Sequence, residues 1–401
     1  MRRIVVVGGS LAGLRSLEAL RAEGHDGELV LVGKEPHAPY DRPPLSKQVL
    51  RGEWPADKTR LRFDPTALGV TLQLGVSATS LDALAQRLSL SDGSMLEYDG
   101  LVIATGADAR RAPSSMPGAQ LGNVHVLRTL DDALALRAAL ARKPSVCVIG
   151  AGFIGLEVAS SCRALGLACT VVEPLALPLE SKIGTPMAEL ITQMHRDAGV
   201  VLHTGVGVTA LEGGANVERV RLTDGTTIEA QLVVVGIGVT PNVAWLAGSG
   251  VAIGDGVECD ATCASSVSNI VAAGDIARWP NAFSEQRARV EHWTHAVEQA
   301  AHAAKRLLRG PAFTEPFSPV PYFWSDQLGV KIQFAGHTRG GAEADELRVV
   351  EGSIAERKLV ALFGRKDRVV GVLALGKPAR LVHYRKRIAD GMRWDEAVPL
   401  S

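Results

Sequence analysis

The sequence predicts an α/β protein, because a glycine-rich turn twice connects a short apolar strand to an amphipathic helix. The clearer turn follows the apolar run Val146–Ile149, and its residues Gly150, Gly152 and Gly155 form the pattern G-x-G-x-x-G. In this pattern the first glycine makes a tight turn, the second lets the backbone approach a pyrophosphate, and the third lets the helix pack closely on the strand. A second apolar run ends at Glu173, whose carboxylate can accept hydrogen bonds from both ribose hydroxyls of an adenosine. The combination predicts a dinucleotide site, and the alternative is an ordinary βαβ turn.

A similar unit opens the chain. The apolar run at residues 4–7 leads into Gly8-Gly9-Ser10-Leu11-Ala12-Gly13, in which Ser10 occupies the position of the middle glycine. Serine is small enough to permit a close approach, so this turn still fits a dinucleotide. A second strand at residues 28–32 ends before Lys34 and Glu35. Two such turns predict two nucleotides, one tightly held and one exchangeable.

Composition narrows the functional class. The 401 residues are 46% hydrophobic and 21% charged, which suits a globular enzyme of two or three domains. The formal net charge is zero, so nothing global indicates nucleic acid or an anionic membrane as a partner. No apolar run is long enough to span a bilayer. None of the five cysteines forms a C-x-x-C pair, so we expect mostly buried, reduced thiols and a cytoplasmic location.

The segment Pro39-Tyr40-Asp41-Arg42-Pro43-Pro44-Leu45-Ser46-Lys47 follows the first unit. Its prolines predict a stiff, extended element, and Ser46 is predicted to cap a following helix. Arg42 and Lys47 would then lie beside the first nucleotide. The alternative is two solvated cations on a loop.

Local patterns predict the remaining elements. We expect short strands over residues 68–98, a strand at 101–104, a helix start at Arg128-Thr129, a helix at 185–198, a hairpin of 217–222 with 227–229, a strand at 232–235, a strand at 269–272 that ends in Ala273-Gly274-Asp275, and a helix at 294–308 after Glu291-His292-Trp293. The His-Trp pair has simple packing as its alternative. The proline-rich residues 311–321 predict a domain boundary, followed by antiparallel strands at 330–334, 359–362 and 369–375 and a basic helix at 378–389.

These motifs, in this order, resemble the two-dinucleotide-binding flavoproteins, and within them the ferredoxin reductases of bacterial oxygenase systems. The resemblance covers nearly the whole chain. The motifs that carry it are both glycine turns, Arg42-Pro43-Pro44-Leu45-Ser46-Lys47, Ala104-Thr105-Gly106, Gly238-Val239-Thr240-Pro241-Asn242, Ala273-Gly274-Asp275, Glu291-His292-Trp293 and Phe323-Trp324-Ser325-Asp326.

The resemblance implies a glutathione-reductase-like fold with two Rossmann-like domains and a C-terminal α+β domain. A discontinuous FAD domain would comprise residues 1–108 and 236–314. An NAD domain would be inserted at 109–235, and the C-terminal domain would fill 315–401.

The resemblance also assigns residues to the two cofactors. The implied FAD contacts are Gly8, Ser10, Leu11, Ala12, Gly13, Lys34, Glu35, Arg42, Lys47, Ala78, Arg128, Asp275 and Trp293. The implied NAD contacts are Gly152, Phe153, Ile154, Gly155, Glu157, Glu173, Gly238, Glu291 and His292. The family usually has an acid where this chain has Lys34, so Glu35 is the expected ribose ligand. Trp324 matches an aromatic residue beside the flavin edge.

Three residues are expected to act in catalysis. Hydride transfer from nicotinamide to flavin needs positioning of the two rings rather than a nucleophile. Lys47 near the flavin's central nitrogen would stabilise the anionic reduced flavin, and Glu157 would pair with Lys47 or with the carboxamide of the nicotinamide. Trp324 is the third residue, at the flavin edge.

Missing cysteines favour one activity. Disulfide reductases and related NADH oxidases or peroxidases carry redox cysteines after the first ribose acid, and this chain has none there. We therefore predict an NADH:ferredoxin oxidoreductase, in which NADH reduces FAD and FAD reduces a 2Fe–2S ferredoxin for a cytochrome P450 or a ring-hydroxylating dioxygenase. The alternatives are an NADH oxidase without a redox cysteine and an NADH-gated binding protein resembling apoptosis-inducing factor.

A cluster of cations near the C-terminus predicts where the ferredoxin binds. Electron-transfer partners meet through small interfaces steered by charge. The window 377–393 holds Lys377, Arg380, Arg385, Lys386, Arg387 and Arg393 against the single acid Asp390, and Lys331, Lys305, Arg306 and Arg309 are expected to extend it. The alternative is a solvated basic face of a helix.

Overall fold

The computed structural model describes residues 1–284, 286–339 and 343–398. The chain forms two compact units. The first comprises Met1–Asp41, Thr59–Asp108 and Thr240–Pro321, and the second comprises Arg42–Lys58, Ala109–Val239 and Tyr322–Ser401. The predicted NAD domain at 109–235 lies within the second unit, as does most of the predicted C-terminal domain. The predicted domain boundaries stay a prediction.

The helices and strands are as follows. The α-helices of the described ranges are α1 (Leu11–Ala22), α2 (Leu130–Leu140), α3 (Phe153–Ala164), α4 (Glu180–Ile183), α5 (Thr185–Asp197), α6 (Trp293–Arg309) and α7 (Pro378–Ala389). The strands are β1 (Arg3–Val7), β2 (Glu28–Gly33), β3 (Val70–Leu74), β4 (Ala78–Asp82), β5 (Arg87–Leu90), β6 (Met95–Glu97), β7 (Gly100–Ile103), β8 (Ala107–Ala109), β9 (Val124–His125), β10 (Val146–Ile149), β11 (Cys169–Glu173), β12 (Val201–Thr204), β13 (Val208–Glu212), β14 (Arg219–Leu222), β15 (Thr227–Glu229), β16 (Leu232–Val235), β17 (Val239–Pro241), β18 (Ile253–Gly254), β19 (Gly256–Glu258), β20 (Ile270–Ala272), β21 (Ala277–Asn281), β22 (Gln286–Ala288), β23 (Tyr322–Gln327), β24 (Val330–Gly336), β25 (Glu346–Ser353), β26 (Lys358–Arg365) and β27 (Arg368–Leu375).

A parallel sheet organises the first unit. Its strand order is β20-β7-β1-β2-β3, with Val5 opposite both Val30 and Leu101. The β-branched and leucine side chains of β1, β2 and β7 are buried on both faces, as a parallel sheet covered by helices requires. Helices α1 and α6 pack against each other, and α6 also contacts β20 and β7. Smaller sheets in the orders β4-β5-β6 and β18-β19-β21-β22 complete this unit.

The second unit contains another parallel sheet of the same kind. Its order is β12-β11-β10-β16-β9, and Val148 of β10 lies opposite Val171 and Val234. An antiparallel sheet, β13-β14-β15, contains the hairpin predicted around Asp224-Gly225. The sequence thus correctly predicts a βαβ unit around each glycine turn.

An antiparallel sheet of five strands forms the C-terminal part of the second unit. Its order is β23-β24-β27-β26-β25, and α7 packs on β27 and β24. Apolar residues of this sheet, such as Phe334 and Phe363, share one buried core with Met187 and Ile191 of α5. The predicted strands at 330–334, 359–362 and 369–375 are confirmed, and β25 is an addition that the sequence pattern did not indicate.

The predicted helix cap at Ser46 is wrong. Pro43–Ser46 forms a short 3-10 helix that Ser46 ends rather than begins. The Ser46 hydroxyl donates a hydrogen bond to a carboxylate oxygen of Glu157 instead.

Among the helices of the described ranges, none combines the length and apolar character that a bilayer crossing requires.

Candidate functional site

The glycine turn of the first unit leaves no room for a side chain at Gly8 or at Gly13. Gly8 has φ +128°, and a Cβ atom there would collide with the carbonyl oxygen of Ala104. A Cβ atom at Gly13 would collide with the carbonyl oxygen of Gly8. Ser10 is the N-cap residue of α1, so the turn presents backbone N–H groups at a helix N-terminus. This arrangement fits a pyrophosphate.

The motif that contains Asp275 lies against this turn. Gly274 has φ +79°, and a Cβ atom there would lie 2.9 Å from the Cβ atom of Ala12. The N–H group of Gly274 donates to Gln299 Oε1 over 2.8 Å, which fixes the loop on α6. The first unit thus brings Asp275 close to the predicted pyrophosphate contacts.

The end of β2 carries the predicted ribose ligand. The hydroxyl of Tyr40 donates to Glu35 Oε2 over 2.5 Å, which orients the carboxylate and leaves it further acceptor capacity. Lys34 is exposed and pairs with Asp108 over 3.0 Å. This geometry agrees with the expectation that Glu35, rather than Lys34, is the ribose ligand, which stays a prediction.

Other predicted contacts are spread over the first unit. Ala78 begins β4. Trp293 begins α6, and its Nε1 donates to Asp41 Oδ1 over 2.7 Å. His292 is the N-cap residue of α6, and Glu291 accepts a hydrogen bond from Arg289 Nη1 over 2.8 Å. Glu291 and His292 thus belong to the first unit, whereas the other predicted NAD contacts belong to the second.

The glycine turn of the second unit distinguishes its three glycines. Cβ atoms at Gly150 and Gly155 would collide with the carbonyl oxygens of Gly236 and Gly150, respectively. A Cβ atom at Gly152, in contrast, would meet no described heavy atom within 4 Å. Packing requires the first and third glycines, and the middle glycine borders open space where a nucleotide would fit.

This difference predicts that two alanine substitutions affect different properties, protein stability in one case and NADH binding in the other. Gly155→Ala should lower the stability by about 1–3 kcal/mol, because the added methyl group has no space. Gly152→Ala should leave the unfolding temperature unchanged and raise the KM for NADH, because the methyl group would meet only the predicted nucleotide. Thermal unfolding and steady-state kinetics measure both. If both variants changed the unfolding temperature and the KM for NADH to the same extent, this interpretation would be wrong.

The Glu173 carboxylate is held at the end of β11. Its Oε2 accepts from the N–H group of Ala151 over 2.8 Å, and its Oε1 accepts from that of Leu175 over 3.0 Å. The first of these bonds ties the carboxylate directly to the glycine turn. The side chain is therefore preorganised, and each oxygen retains a lone pair for a ribose hydroxyl. Gly238, another predicted NAD contact, has φ +98° in the loop after β16.

A buried ion pair joins Lys47 to Glu157. The distance from Lys47 Nζ to Glu157 Oε2 is 2.7 Å, and the two side chains are only 5% and 3% exposed. Lys47 Nζ also donates to the carbonyl oxygen of Pro43 over 3.0 Å. The pairing predicted for Glu157 is thus present, and Lys47 is not the solvated cation of the alternative interpretation.

Two serines that the sequence reasoning did not assign also contact Glu157. Ser46 Oγ donates to Oε2 over 2.5 Å, and Ser325 Oγ donates to Oε1 over 2.6 Å. Ser46 is anchored in turn, because its carbonyl oxygen accepts from Ser161 Oγ over 2.6 Å. Both serines lie within motifs that carry the family resemblance. Each is adjacent to a residue predicted to act in catalysis, Ser46 to Lys47 and Ser325 to Trp324, and this position could have indicated them.

Arg42 and Arg128 lie together. Arg42 Nη1 donates to the carbonyl oxygen of Arg128 over 2.6 Å. Thr129 and Asp132 form a capping box that starts α2, and Asp132 also accepts from the N–H group of Arg128. The predicted helix start is confirmed, and the structure brings these two predicted cofactor contacts together.

Trp324 lies on the opposite face of β23 from Ser325. Its ring stacks on Tyr322 with centroids 6.1 Å apart, and Lys331 Nζ lies 6.0 Å from the Trp324 centroid. The Arg385 guanidinium lies 5.7 Å from the Tyr322 centroid. Two predicted docking cations therefore flank a half-buried aromatic pair.

Acidic side chains neutralise much of the predicted basic cluster. Glu351 of β25 pairs with both Lys377 and Arg380 over 3.4 and 3.2 Å. Further pairs join Arg387 to Glu396, Arg393 to Asp395 and Lys331 to Asp326.

The predicted extension of this cluster is wrong for Arg306. This side chain is buried in the first unit and donates from Nε to Thr262 Oγ1 over 3.0 Å. Lys305 and Arg309 both pair with Glu23. A buried guanidinium cannot bind a partner at the surface.

The cysteines are all buried free thiols. Burial raises the pKa of Cys147 and of Cys259 to about 12, so these thiols stay protonated at neutral pH. Their burial agrees with the expectation of mostly buried, reduced thiols.

Comparison with known proteins identifies the family. The family model described as pyridine nucleotide-disulphide oxidoreductase matches residues 2–300, and the model described as reductase C-terminal matches residues 322–399.

Relatives match over nearly the whole chain. The ferredoxin–NAD(+) reductase component of the p-cumate 2,3-dioxygenase system of Pseudomonas putida is 38% identical over 99% of this chain and 97% of its own. Rhodocoxin reductase of Rhodococcus erythropolis is 36% identical, with coverages of 97% and 90%. The crystal structure of a covalent putidaredoxin reductase–putidaredoxin complex superposes with a TM-score of 0.90 at 32% identity, covering 97% of this chain and 93% of that chain.

These matches confirm the predicted fold class and oxidoreductase activity. The family binds FAD and NAD(H), so the two predicted cofactors are confirmed as well, in agreement with the two glycine turns. The chain therefore belongs to the pyridine nucleotide-disulphide oxidoreductase family.

Proposed function

We propose that this protein is an NADH:ferredoxin oxidoreductase that serves an oxygenase system. The observation that carries the proposal is full-length similarity to proteins named as ferredoxin–NAD(+) reductase components of dioxygenase systems. The two glycine turns support it, because each fits a dinucleotide. The buried Lys47–Glu157 pair also supports it, because it holds the Lys47 ammonium group in one position. The acceptor is a 2Fe–2S ferredoxin whose terminal partner is a cytochrome P450 or a ring-hydroxylating dioxygenase.

The cofactor residues have these roles. Gly8, Ser10, Leu11, Ala12 and Gly13 hold the FAD pyrophosphate, and Glu35 holds the adenosine ribose. Arg42, Ala78, Arg128, Asp275 and Trp293 complete the FAD contacts. Gly152, Phe153, Ile154, Gly155, Glu173, Gly238, Glu291 and His292 hold NADH. Bound FAD supplies the conversion between hydride transfer and single-electron transfer.

The catalytic residues stabilise the negative charge that develops on hydride transfer and give the electrons a path out. Lys47 presents its ammonium group for the negative charge that develops on hydride transfer. Glu157 fixes the direction of Lys47, since its Oε2 lies 2.7 Å from Nζ. Trp324 provides an aromatic side chain at the flavin edge, where electrons leave for the ferredoxin.

A panel of purified ferredoxins tests the proposed function. NADH should drive reduction of cytochrome c only when a suitable 2Fe–2S ferredoxin is added with the protein. Rapid oxygen consumption without ferredoxin would instead support the NADH oxidase. Slow flavin reduction with a long-lived charge-transfer complex would support the NADH-gated binding protein.

We expect NADH to be preferred over NADPH. The Glu173 carboxylate would accept hydrogen bonds from the ribose diol and repel a 2′-phosphate. Hydrogen bonds to charged groups contribute about 1.5–3 kcal/mol each, so the preference in kcat/KM should be about tenfold or more. Glu173→Gln removes the charge and should reduce the preference. Equal kcat/KM values for the two nucleotides in the unmodified protein would contradict this assignment.

We place the ferredoxin docking face around Lys331, Arg380, Arg385, Lys386 and Arg387. The aromatic pair Tyr322 and Trp324 supports this choice, because Lys331 and Arg385 flank it. Arg380 and Arg387 pair with acids, so the proposal rests mainly on the exposed Lys386 and on the position of Arg385 beside the Tyr322 ring. A cytoplasmic location completes the proposal, and the buried free thiols are consistent with it.

A further inference from the structure

A buried row of polar side chains crosses the second unit from α5 to Glu157. His195 Nε2 lies 2.9 Å from Gln327 Oε1, Gln327 Nε2 donates to Ser325 Oγ over 2.9 Å, and Ser325 Oγ donates to Glu157 Oε1. His195 and Ser325 are fully buried, and Gln327 is 1% exposed. Burying polar groups is costly unless they are paired, so an extended row of this kind needs a reason.

The hydrogen bonds in this row have one possible direction. The Glu157 carboxylate can only accept, so the Ser325 hydroxyl must donate to it and must itself accept from Gln327. The amide nitrogen of Gln327 therefore faces Ser325, and its oxygen faces His195. His195 must then carry a proton on Nε2. Burial lowers the pKa of His195, which favours the neutral ring over the imidazolium.

One face of α3 fixes β23 in the required position. Phe153, Glu157 and Ser160 lie on this face, at the spacing of successive helical turns. The Phe153 and Phe323 ring centroids are 4.6 Å apart, and the N–H group of Leu328 donates to Ser160 Oγ over 2.7 Å. The Ser325–Glu157 bond lies between these two anchors.

The row completes the set of hydrogen bonds to Glu157. Ser325 occupies Oε1, while Ser46 and Lys47 occupy Oε2. Without the Ser325 bond, Oε1 would lose this partner, and the contacts of Ser46 and Lys47 with Oε2 would hold the carboxylate less firmly.

We propose that Ser325, Gln327 and His195 are positioning residues that orient the Glu157 carboxylate toward Lys47, so that strand β23 controls how fast the protein accepts hydride from NADH. This inference rests on the proposed function. It assigns the C-terminal part of the chain a role in the NADH half-reaction, in addition to the electron exit assigned to Trp324.

Rapid mixing of the FAD-loaded protein with NADH under anaerobic conditions tests the kinetic effect. Ser325→Ala should slow flavin reduction about tenfold, the effect of losing one hydrogen bond to a charged group. Ser325→Thr keeps the hydroxyl and should restore most of the rate. Ser160→Ala is the matched control, because it removes a hydrogen bond from α3 to Leu328, directly after β23, without touching Glu157. Equal rates for Ser325→Ala and Ser160→Ala would overturn the proposal.

Nitrogen NMR of histidine-labelled holoprotein tests the row without any turnover. The unmodified protein should show His195 as the Nε2–H tautomer, and Gln327→Met should abolish this preference. A His195 protonated on Nδ1 alone would overturn the proposed row. If NADH fails to reduce the flavin of the unmodified protein, the proposed function fails instead, and the NMR result still decides on the row.

Discussion

Replacing Lys47 with alanine is expected to slow the reduction of bound FAD by NADH about tenfold to a thousandfold, the range typical of losing one preorganised electrostatic contact. The ammonium group is fixed by Glu157 Oε2 at 2.7 Å and by the carbonyl oxygen of Pro43 at 3.0 Å. FAD should remain bound, because the glycine turn at residues 8–13 is unchanged. Stopped-flow absorbance at the flavin band measures the rate.

The same substitution should also lower stability. Removing one partner of a buried ion pair leaves the other charge uncompensated, at a cost of about 3–5 kcal/mol. Lys58→Ala is the matched control, because Lys58 lies in the same segment but is exposed and contacts only the Trp54 ring among the interactions described. Lys58→Ala should change neither rate nor stability. A Lys47→Ala protein with full flavin occupancy and a normal reduction rate would exclude Lys47 from catalysis.

Reversing the charges of Arg385 and Lys386 to glutamate is expected to raise the KM for an acidic ferredoxin and to weaken its salt dependence. Steering between charged surfaces accelerates association at low ionic strength, and added salt screens it. The pair is chosen without Arg387, because the proximity of Arg387 to Glu396 would add a like-charge contact to the reversed variant. Turnover with ferricyanide should not change, since a small acceptor needs no docking face.

A second double variant controls for total charge. Arg142 and Lys143 are exposed residues of the same unit, outside the proposed docking face. Reversing both to glutamate changes the net charge equally and should leave the KM for ferredoxin near its original value. If both double variants raise this KM equally, the effect is one of overall charge and the docking proposal is wrong.

The sequence predicted the two βαβ units well because their signals are local. In the second unit a buried strand, three glycines and a terminal acid follow one another within one short stretch, and close packing requires the first and the third of these glycines. The basic helix α7 was predicted with its observed bounds for the same reason, since its apolar residues Leu381, Tyr384 and Ile388 repeat at helical spacing.

Contacts between distant segments could not be predicted in the same way. Glu351 neutralises Lys377 and Arg380 from a strand that the pattern did not indicate, so a count of charges within one window overstated the basic cluster. Ser325 meets Glu157 only because β23 packs on α3. Arg306 was misplaced because helical spacing shows which residues share a face but not which face the core covers.

The stoichiometry of an anaerobic reaction tests the central claim most directly. NADH is added in limiting amounts to the FAD-loaded protein and an excess of oxidised 2Fe–2S ferredoxin, and both absorbance changes are followed. Each NADH donates two electrons and each ferredoxin accepts one, so two ferredoxins should be reduced for every NADH oxidised. Complete oxidation of NADH with reduced flavin and ferredoxin that stays oxidised would contradict the proposed function.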